Sequence, residues 1–494
     1  MTKSALVIGS GFAGLSAAAS LAAKGYSVTV LEKNDSPGGR ARVLREGGYT
    51  FDMGPSWYWM PDVFEAWFAR FGDRVQNHYD LIRLDPSYQV IFSPTDHWRL
   101  PARMSELTAF FEAVEPGAGA SLGQFLKEAG LKYDLGMNEL VHRPSLSWLE
   151  YVHPRLMSGM LRTSVFTSLR KHVARHFKDP RLRQLMEFPV LFLGATAENT
   201  PALYSLMNYA DMALGTWYPM GGMGRIVEGM VRVASAQGVV FHYNTPVENI
   251  LVRNGKVTGV RSAEREFLAD VVVAAADYHH VDQHLLEPEH RSYSPKYWKD
   301  RVMAPSSLLF YLGFNTRLPK LEHHNLFFDR SLEVHAHEIY VEPSWPSKPL
   351  MYISAPSKTD PTIAPVGHEN VFALIPIAPG LVDGHEVRAR FLEQVLERIS
   401  SHTGVRVHEH LVYQRSYCIT DFENDYNAYR GNAYGLANTL AQTAVLKPRM
   451  KSNKVDGLYF AGQLTVPGPG VPPALISGHV VADLISSTAQ RQRA

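Results

Sequence analysis

Gly9-Ser10-Gly11-Phe12-Ala13-Gly14 constrains this chain more than any other stretch, because of what stands on either side of it. Before it runs the short apolar segment Ser4 to Ile8; after it come Leu15 to Lys24, rich in strong helix formers, with Gly25 as a stop. A second β-branched run, Ser27 to Leu31, follows and ends at Glu32. Strand, glycine turn, helix and second strand make a βαβ unit that binds a dinucleotide. Gly9 permits the tight turn, Gly11 lets a pyrophosphate approach the backbone, and Gly14 lets helix and strand pack closely. Phe12 and Ala13 open the helix, whose N-terminus attracts phosphate. Glu32 lies 18 residues beyond Gly14, where a carboxylate accepts hydrogen bonds from ribose hydroxyls and disfavours a 2'-phosphate. The glycine spacing alone does not separate a nicotinamide from a flavin dinucleotide.

A chain of 494 residues exceeds what one hydrophobic core usually supports, so two intertwined domains are expected. With 49 basic and 48 acidic residues the net charge is +1, and no global field draws the protein to nucleic acid. Cys418 is the single cysteine, which excludes an intramolecular disulfide framework and fits a reducing, cytoplasmic compartment. The alanine-rich start is interrupted by glycines at a functional spacing, and no apolar run reaches the ~18 residues of a membrane-spanning helix.

A second cofactor-type unit closes the chain. Gly457 to Ala461 reads as a strand, Gly462 to Gly470 as a loop, and Val471 onward as a helix with Pro472 and Pro473 in its first turn. A third piece runs from Tyr218 through Gly221, Gly222 and Gly224 into a helical stretch to Gln237, then Val239 to Tyr243, Pro246 to Ile250 and Val271 to Ala276. If both chain ends build one site, the substrate region is inserted between them. The expected cofactor domain is therefore discontinuous, residues 1–60, 216–300 and 440–494, with 61–215 and 301–439 forming a substrate-binding, membrane-associating domain.

The residues after the second strand carry a family resemblance. Glu32, Lys33, Gly38, Gly39 and Arg40, with Phe51-Asp52-Met53-Gly54-Pro55, resemble the extended dinucleotide signature of flavin-containing amine oxidases and phytoene desaturases. Gly54 to Trp59, Trp217 to Gly224 and the closing stretch Gly468 to Gly478 are similar to bacterial-type phytoene desaturases. The resemblance covers nearly the whole chain. It implies an α/β fold with a Rossmann-like, glutathione-reductase-like FAD-binding domain and an inserted domain of mixed sheet and helices. It implies FAD as cofactor, with Arg40 on the phosphates, a planar guanidinium suiting that role. Gly9, Gly11, Phe12, Ala13, Gly14, Glu32, Lys33, Gly39, Gly54, Pro55 and Ser56 complete that side, and Val247 presents its backbone to adenine. Gly462, Gly470 and Val471 inherit contacts to the ribityl chain and ring, where the helix N-terminus stabilises the charge of the reduced flavin. Many relatives carry an acid after the first glycine of that loop; this chain has Gln463.

The implied reaction is desaturation of phytoene or a related carotenoid, an apolar isoprenoid held in a long tunnel and positioned against the flavin. The sequence names no proton acceptor. Rival readings are a carotenoid isomerase, a flavin amine oxidase, and a non-enzymatic binder of the GDP-dissociation-inhibitor type; Glu32, Arg40 and the closing helix weigh against the last. Gly221 to Gly224 follows no strand in a βαβ context, so no NAD(P)H site is expected, and electrons leave to oxygen or a membrane quinone.

The inserted regions are aromatic. Ser307 to Phe314, Leu350 to Ala355 and Val371 to Ile377 read as strands of a mixed sheet. Trp57, Tyr58 and Trp59 read either as channel lining or as core. From Arg155 to Arg183 there are eight Lys or Arg residues and one acid, Asp179. Phe166, Leu169, Val173 and Phe177 fall on one helical face and Lys171, Arg175 and Lys178 on the other, the pattern of a basic helix lying on an anionic bilayer or of a surface helix covering the core. His335 and His337 alternate as on a strand, and His408, Glu409 and His410 cluster, but neither set has a ligand spacing tied to a motif, and no metal is expected.

Overall fold

The computed structural model describes residues 2–151, 167–189 and 196–491. Its first sheet has five parallel strands in the spatial order Leu458–Phe460, Val271–Ala274, Ser4–Ile8, Ser27–Leu31, Val240–His242. The N-terminal strand is thus central, and the C-terminal part of the chain supplies an edge. Alternation along Ser4–Ile8 sends Ala5 and Val7 to one apolar cluster and Leu6 and Ile8 to another, as a strand covered on both faces requires. On one face pack the helices Phe12–Ala23, Gly224–Ala236 and Val471–Arg491. The first and last approach so closely that a Cβ at Gly478 would collide with the Ala13 carbonyl. The other face packs Ile250, Val257 and Val260 of a three-stranded antiparallel sheet, Asn249–Arg253, Lys256–Ser262 and Arg265–Leu268. Pro246 to Val247 precede that sheet, so the strand expected from Pro246 begins at Asn249.

The second large sheet has seven strands in the order Leu411–Tyr417, Ser306–Phe314, Glu369–Ile377, Met351–Ser354, His324–Phe327, Tyr88–Ile91, His97–Leu100. It is mixed, as expected, through the parallel pair His324–Phe327 and Tyr88–Ile91. Leu308, Phe310, Leu312 and Phe314 pack with Phe391, Val395 and Ile399 of the helix His385–Thr403. The opposite face turns Leu309 and Tyr311 toward the cluster that holds the first-sheet helices. There the Tyr311 hydroxyl donates to the Met53 carbonyl at 2.7 Å, tying the second sheet to the segment after the opening βαβ unit.

Two expectations are corrected. His335 and His337 lie on the helix Leu332–Tyr340, not on a strand; two positions apart they diverge, His335 buried and His337 exposed. The basic stretch is not one helix to Arg183. Leu169–His176 ends at Phe177 in extended backbone, and Asp179 caps a second helix, Pro180–Glu187. Its first part, including Phe166, lies outside the described residues. Leu169, Val173 and Phe177 are fully buried while Lys171, Arg175 and Lys178 are exposed, so the two faces hold over the described part. Among the described residues, no helix is long and apolar enough to cross a membrane.

Candidate cofactor site

At the end of the central strand, Gly9 takes φ +95° and donates its amide to the Leu31 carbonyl at 2.8 Å, so the chain turns sharply over the sheet edge. A Cβ on Gly14 would collide with the Gly9 carbonyl, whereas one on Gly11 would meet nothing within 4 Å. Packing within the described residues therefore does not require a glycine at position 11. It precedes the helix Phe12–Ala23, which no side chain caps. Phe12 and Ala13 bury their own side chains in the core.

Glu32 is buried and ties the second strand end to the glycine turn. One carboxylate oxygen accepts the Ser10 amide at 2.8 Å and the Ser10 hydroxyl at 2.6 Å; the other accepts the Asn34 amide at 2.9 Å. The Asn34 side-chain amide also donates to that second oxygen at 3.1 Å, so the carboxylate's acceptor sites, about four in all, are taken, and a ribose hydroxyl would replace the longest of these contacts, the Asn34 side chain. Val247 belongs to a loop held beside this strand end by Asn244 N–H to Asn34 C=O at 2.9 Å and Thr245 N–H to Glu32 C=O at 2.8 Å.

The Gly38-Gly39-Arg40 turn docks on the glycine loop through the Gly38 amide, 2.9 Å from the Ser10 carbonyl, with a Gly39 Cβ position only 3.3 Å from Gly11 Cα. Arg40 donates to the Asn432 carbonyl at 3.1 Å and lies over the Tyr426 ring at 5.3 Å, while its buried Nε has no hydrogen-bond partner among the described residues. Asn432 also accepts from Gln463 Nε2 at 2.9 Å and donates to Asp277 at 3.3 Å. Arg40, Asp277, Asn432 and Gln463 therefore form one network from four distant parts of the chain. Lys33 is turned away from the turn, toward the Asn424 carbonyl.

On the closing side, Gly462 (φ +115°) donates its amide to the Ser477 hydroxyl at 2.9 Å and sits opposite Ala13; Gly470 (φ +112°) precedes Val471, the first residue of the last helix. Gly54 packs against the Arg40 carbonyl, and Pro55 leads to Ser56, whose hydroxyl lies 2.9 Å from the Tyr352 hydroxyl. Asp52 accepts the Met223 amide at 2.8 Å and the Gly224 amide at 3.2 Å, holding the start of the helix Gly224–Ala236. Burial pushes that carboxyl up to about 6.

Beyond Ser56 stands an aromatic wall. Trp57 stacks on His324 at 4.1 Å and meets Tyr88 edge-on at 5.4 Å. Tyr58 and Trp59 are core residues, Trp59 donating to the Thr216 hydroxyl at 2.9 Å. Phe188, Leu326, Phe328, Ile339, Tyr352 and Leu374 line an apolar cavity of about 50 Å³ against this wall. Away from it, Glu128, His172 and His176 bring ligand-type atoms within 4.8 Å of one another, but the Lys132 ammonium, 3.2 Å from His172 Nε2, already donates to one of them.

A dinucleotide fits the donor set: open space at Gly11, an uncapped helix N-terminus, a buried carboxylate at Glu32 beside the glycine turn and, among the described residues, an unpaired guanidinium donor at Arg40. Sequence reasoning missed Asn432, which lies over a hundred residues from both Asp277 and Arg40 in no motif; nothing local marks it.

Residues 12–486 match the family model described as flavin containing amine oxidoreductase. The chain is 41% identical over 480 residues to a carotenoid 3,4-desaturase of Haloarcula japonica, covering 97% of each. It is 33% identical over 496 residues to a zeta-carotene-forming phytoene desaturase of Myxococcus xanthus, covering 99% of this chain and 94% of that protein. Its fold is similar to that of an oxidoreductase from Methanosarcina mazei (TM-score 0.65, 18% identity, 98% of this chain and 100% of that one). It is also similar to cyclohexylamine oxidase from Brevibacterium oxydans (TM-score 0.61, 15% identity, 99% and 100%).

Proposed function

The chain belongs to the flavin-containing amine oxidoreductase family, and from that premise we propose that it is an FAD-dependent oxidoreductase that introduces double bonds into a carotenoid precursor. The observation that carries this reading is the 41% identity to a carotenoid 3,4-desaturase across 97% of both chains, joined to a glycine loop, Glu32 and Arg40 that suit a dinucleotide. The test is incubation of protein, FAD and carotenoid-bearing liposomes with chromatography of the coloured products; an unchanged chromophore would overturn it.

In this proposal Gly9, Gly11, Gly14, Gly39 and Arg40 hold the pyrophosphate, Glu32 the ribose, Val247 the adenine, and Gly462, Gln463, Gly470 and Val471 the ribityl and ring side, with Gly54, Pro55 and Ser56 behind them. Lys33 acts from outside by fixing the 424–427 segment. The FAD-binding unit comprises 1–60, 216–300 and 440–494, a division supported by the strands that share the parallel sheet. FAD, when bound, accepts the hydrogen equivalents removed from the hydrocarbon. The chain's own task is to place an uncharged polyene against it and exclude water, and the wall around Trp57 and the adjoining apolar cavity suit that task. Oxygen or a membrane quinone takes the electrons onward.

We further propose peripheral attachment to an anionic membrane through the exposed cations Lys171, Arg175 and Lys178. The buried side of that helix supports its orientation, and an insoluble substrate supplies the need. Each cation near an anionic surface contributes roughly 1 kcal/mol, so replacing the three with glutamate lowers liposome affinity by on the order of 100-fold and leaves FAD content unchanged. Undiminished co-sedimentation would leave the helix as a cover for the core.

A further inference from the structure

Lys447 is 3% exposed, and the one hydrogen bond of its side chain among the described residues is to Asn438 Oδ1 at 2.8 Å. No carboxylate lies within ion-pair distance of it among those residues, although a buried ammonium is costly without one. Its Nζ faces the closing loop: a Cβ on Gly468 (φ +136°) would lie 2.7 Å from Nζ and 3.1 Å from Asn438 Oδ1. The neighbouring Pro448 carbonyl accepts the Thr465 hydroxyl at 2.6 Å, so the residue after Lys447 is fastened to the same loop. Gly468 lies between Gly462 and Gly470, the segment assigned above to the ring side of the cofactor. An uncompensated amine is thus built under that loop.

We propose that Lys447 takes up a proton when the bound flavin is reduced, becoming the cation that offsets the negative charge the flavin gains. This rests on the flavin reading given above. The balance closes: the substrate breaks two C–H bonds and forms one C=C bond, a hydride adds two electrons and one proton to the flavin, and the remaining proton ends on the amine lone pair. The buried pocket then gains no net charge, which a medium of low dielectric favours. Burial brings the Lys447 ammonium down to about 7, so above neutral pH the resting amine is ready to accept; among the described residues no charged group on an element packed against it moves it further.

The test is potentiometric titration of the flavin-loaded protein, followed by flavin absorbance, from about pH 6 to about pH 9. The parent takes up one proton per two electrons below about pH 7, where Lys447 is already charged, and two above it. Protonation of the reduced ring itself gives the opposite order, with the second proton on the acid side. Lys447→Met takes up one proton throughout at a lower potential; Lys447→Arg takes up one proton throughout with the potential retained. A lysine that merely props the loop changes flavin content or melting temperature and leaves the proton count alone. One proton at every pH in the parent, or two retained in Lys447→Met, overturns the proposal; if Lys447→Met fails to load flavin, the parent's proton count decides. A parent that binds no flavin overturns the cofactor reading instead, so the two failures are distinct.

Discussion

Gly11→Val is expected to give a folded, colourless protein. At most glycines of the site the two effects cannot be separated, because the fold itself forbids a side chain. Gly14 would collide with the Gly9 carbonyl, and Gly9 holds φ +95°. Gly11 differs on both counts: its φ of −71° and ψ of −179° suit any residue, and nothing lies within 4 Å of its Cβ position. A valine there projects into the space proposed above for the pyrophosphate, beside the loop and the helix N-terminus. Loss of those contacts weakens FAD binding by on the order of 100-fold or more, equivalent to about 3 kcal/mol. The checks are flavin absorbance of the purified variant, a binding titration with added FAD, and thermal unfolding of the apoprotein. A melting temperature near that of the parent apoprotein with flavin lost is the expected pair. Flavin retained at parental affinity places the phosphates elsewhere.

That result is foreseeable from sequence because a βαβ unit is local: strand, turn and helix periods are written within about 30 residues, and each glycine has its own steric reason. The closing strand and helix were legible for the same cause, and so were the core strands of the mixed sheet, whose apolar runs are buried on both faces. Where local patterns misled, a stronger local signal stood beside them. The periodicity of Leu169, Val173 and Phe177 continues toward Arg183, but Asp179-Pro180 is a cap followed by a first-turn proline, and it starts a new helix. Likewise Ser331 caps the helix that carries His335 and His337 by accepting the Val334 amide. The Arg40, Asp277, Asn432 and Gln463 network was not legible, because its members meet only after the chain ends have closed into one sheet. Asp52 reads as a cofactor neighbour in sequence, yet its carboxylate is spent on the amides of Met223 and Gly224.

Asp211 is a second buried carboxyl group that no motif announced, and it makes the larger stability prediction. It is 1% exposed; the Tyr88 hydroxyl donates to it at 2.7 Å and the Thr216 hydroxyl at 3.1 Å, while Trp59 holds Thr216 in place. Burial pushes its carboxyl up to about 7, the two hydroxyl donors only partly opposing this. The unfolded chain gives up this proton near 3.8, so between that value and about 7 the folded state keeps a proton that the unfolded state releases. Stability from this group is therefore full at acid pH and lost as pH rises, by about 4 kcal/mol in all for a shift of about three units. Asp211→Asn removes the titration while retaining a carbonyl to accept one hydroxyl, with the other hydroxyl free to accept from the amide. Measured by urea unfolding of parent and variant side by side, the variant's stability relative to the parent is expected to climb by up to about 4 kcal/mol between about pH 4 and about pH 8. The comparison cancels every other titrating group common to both proteins. A difference that stays flat with pH would mean that Asp211 is ionised in the folded protein across the whole range, with Tyr88 and Thr216 stabilising a buried carboxylate directly behind the aromatic wall.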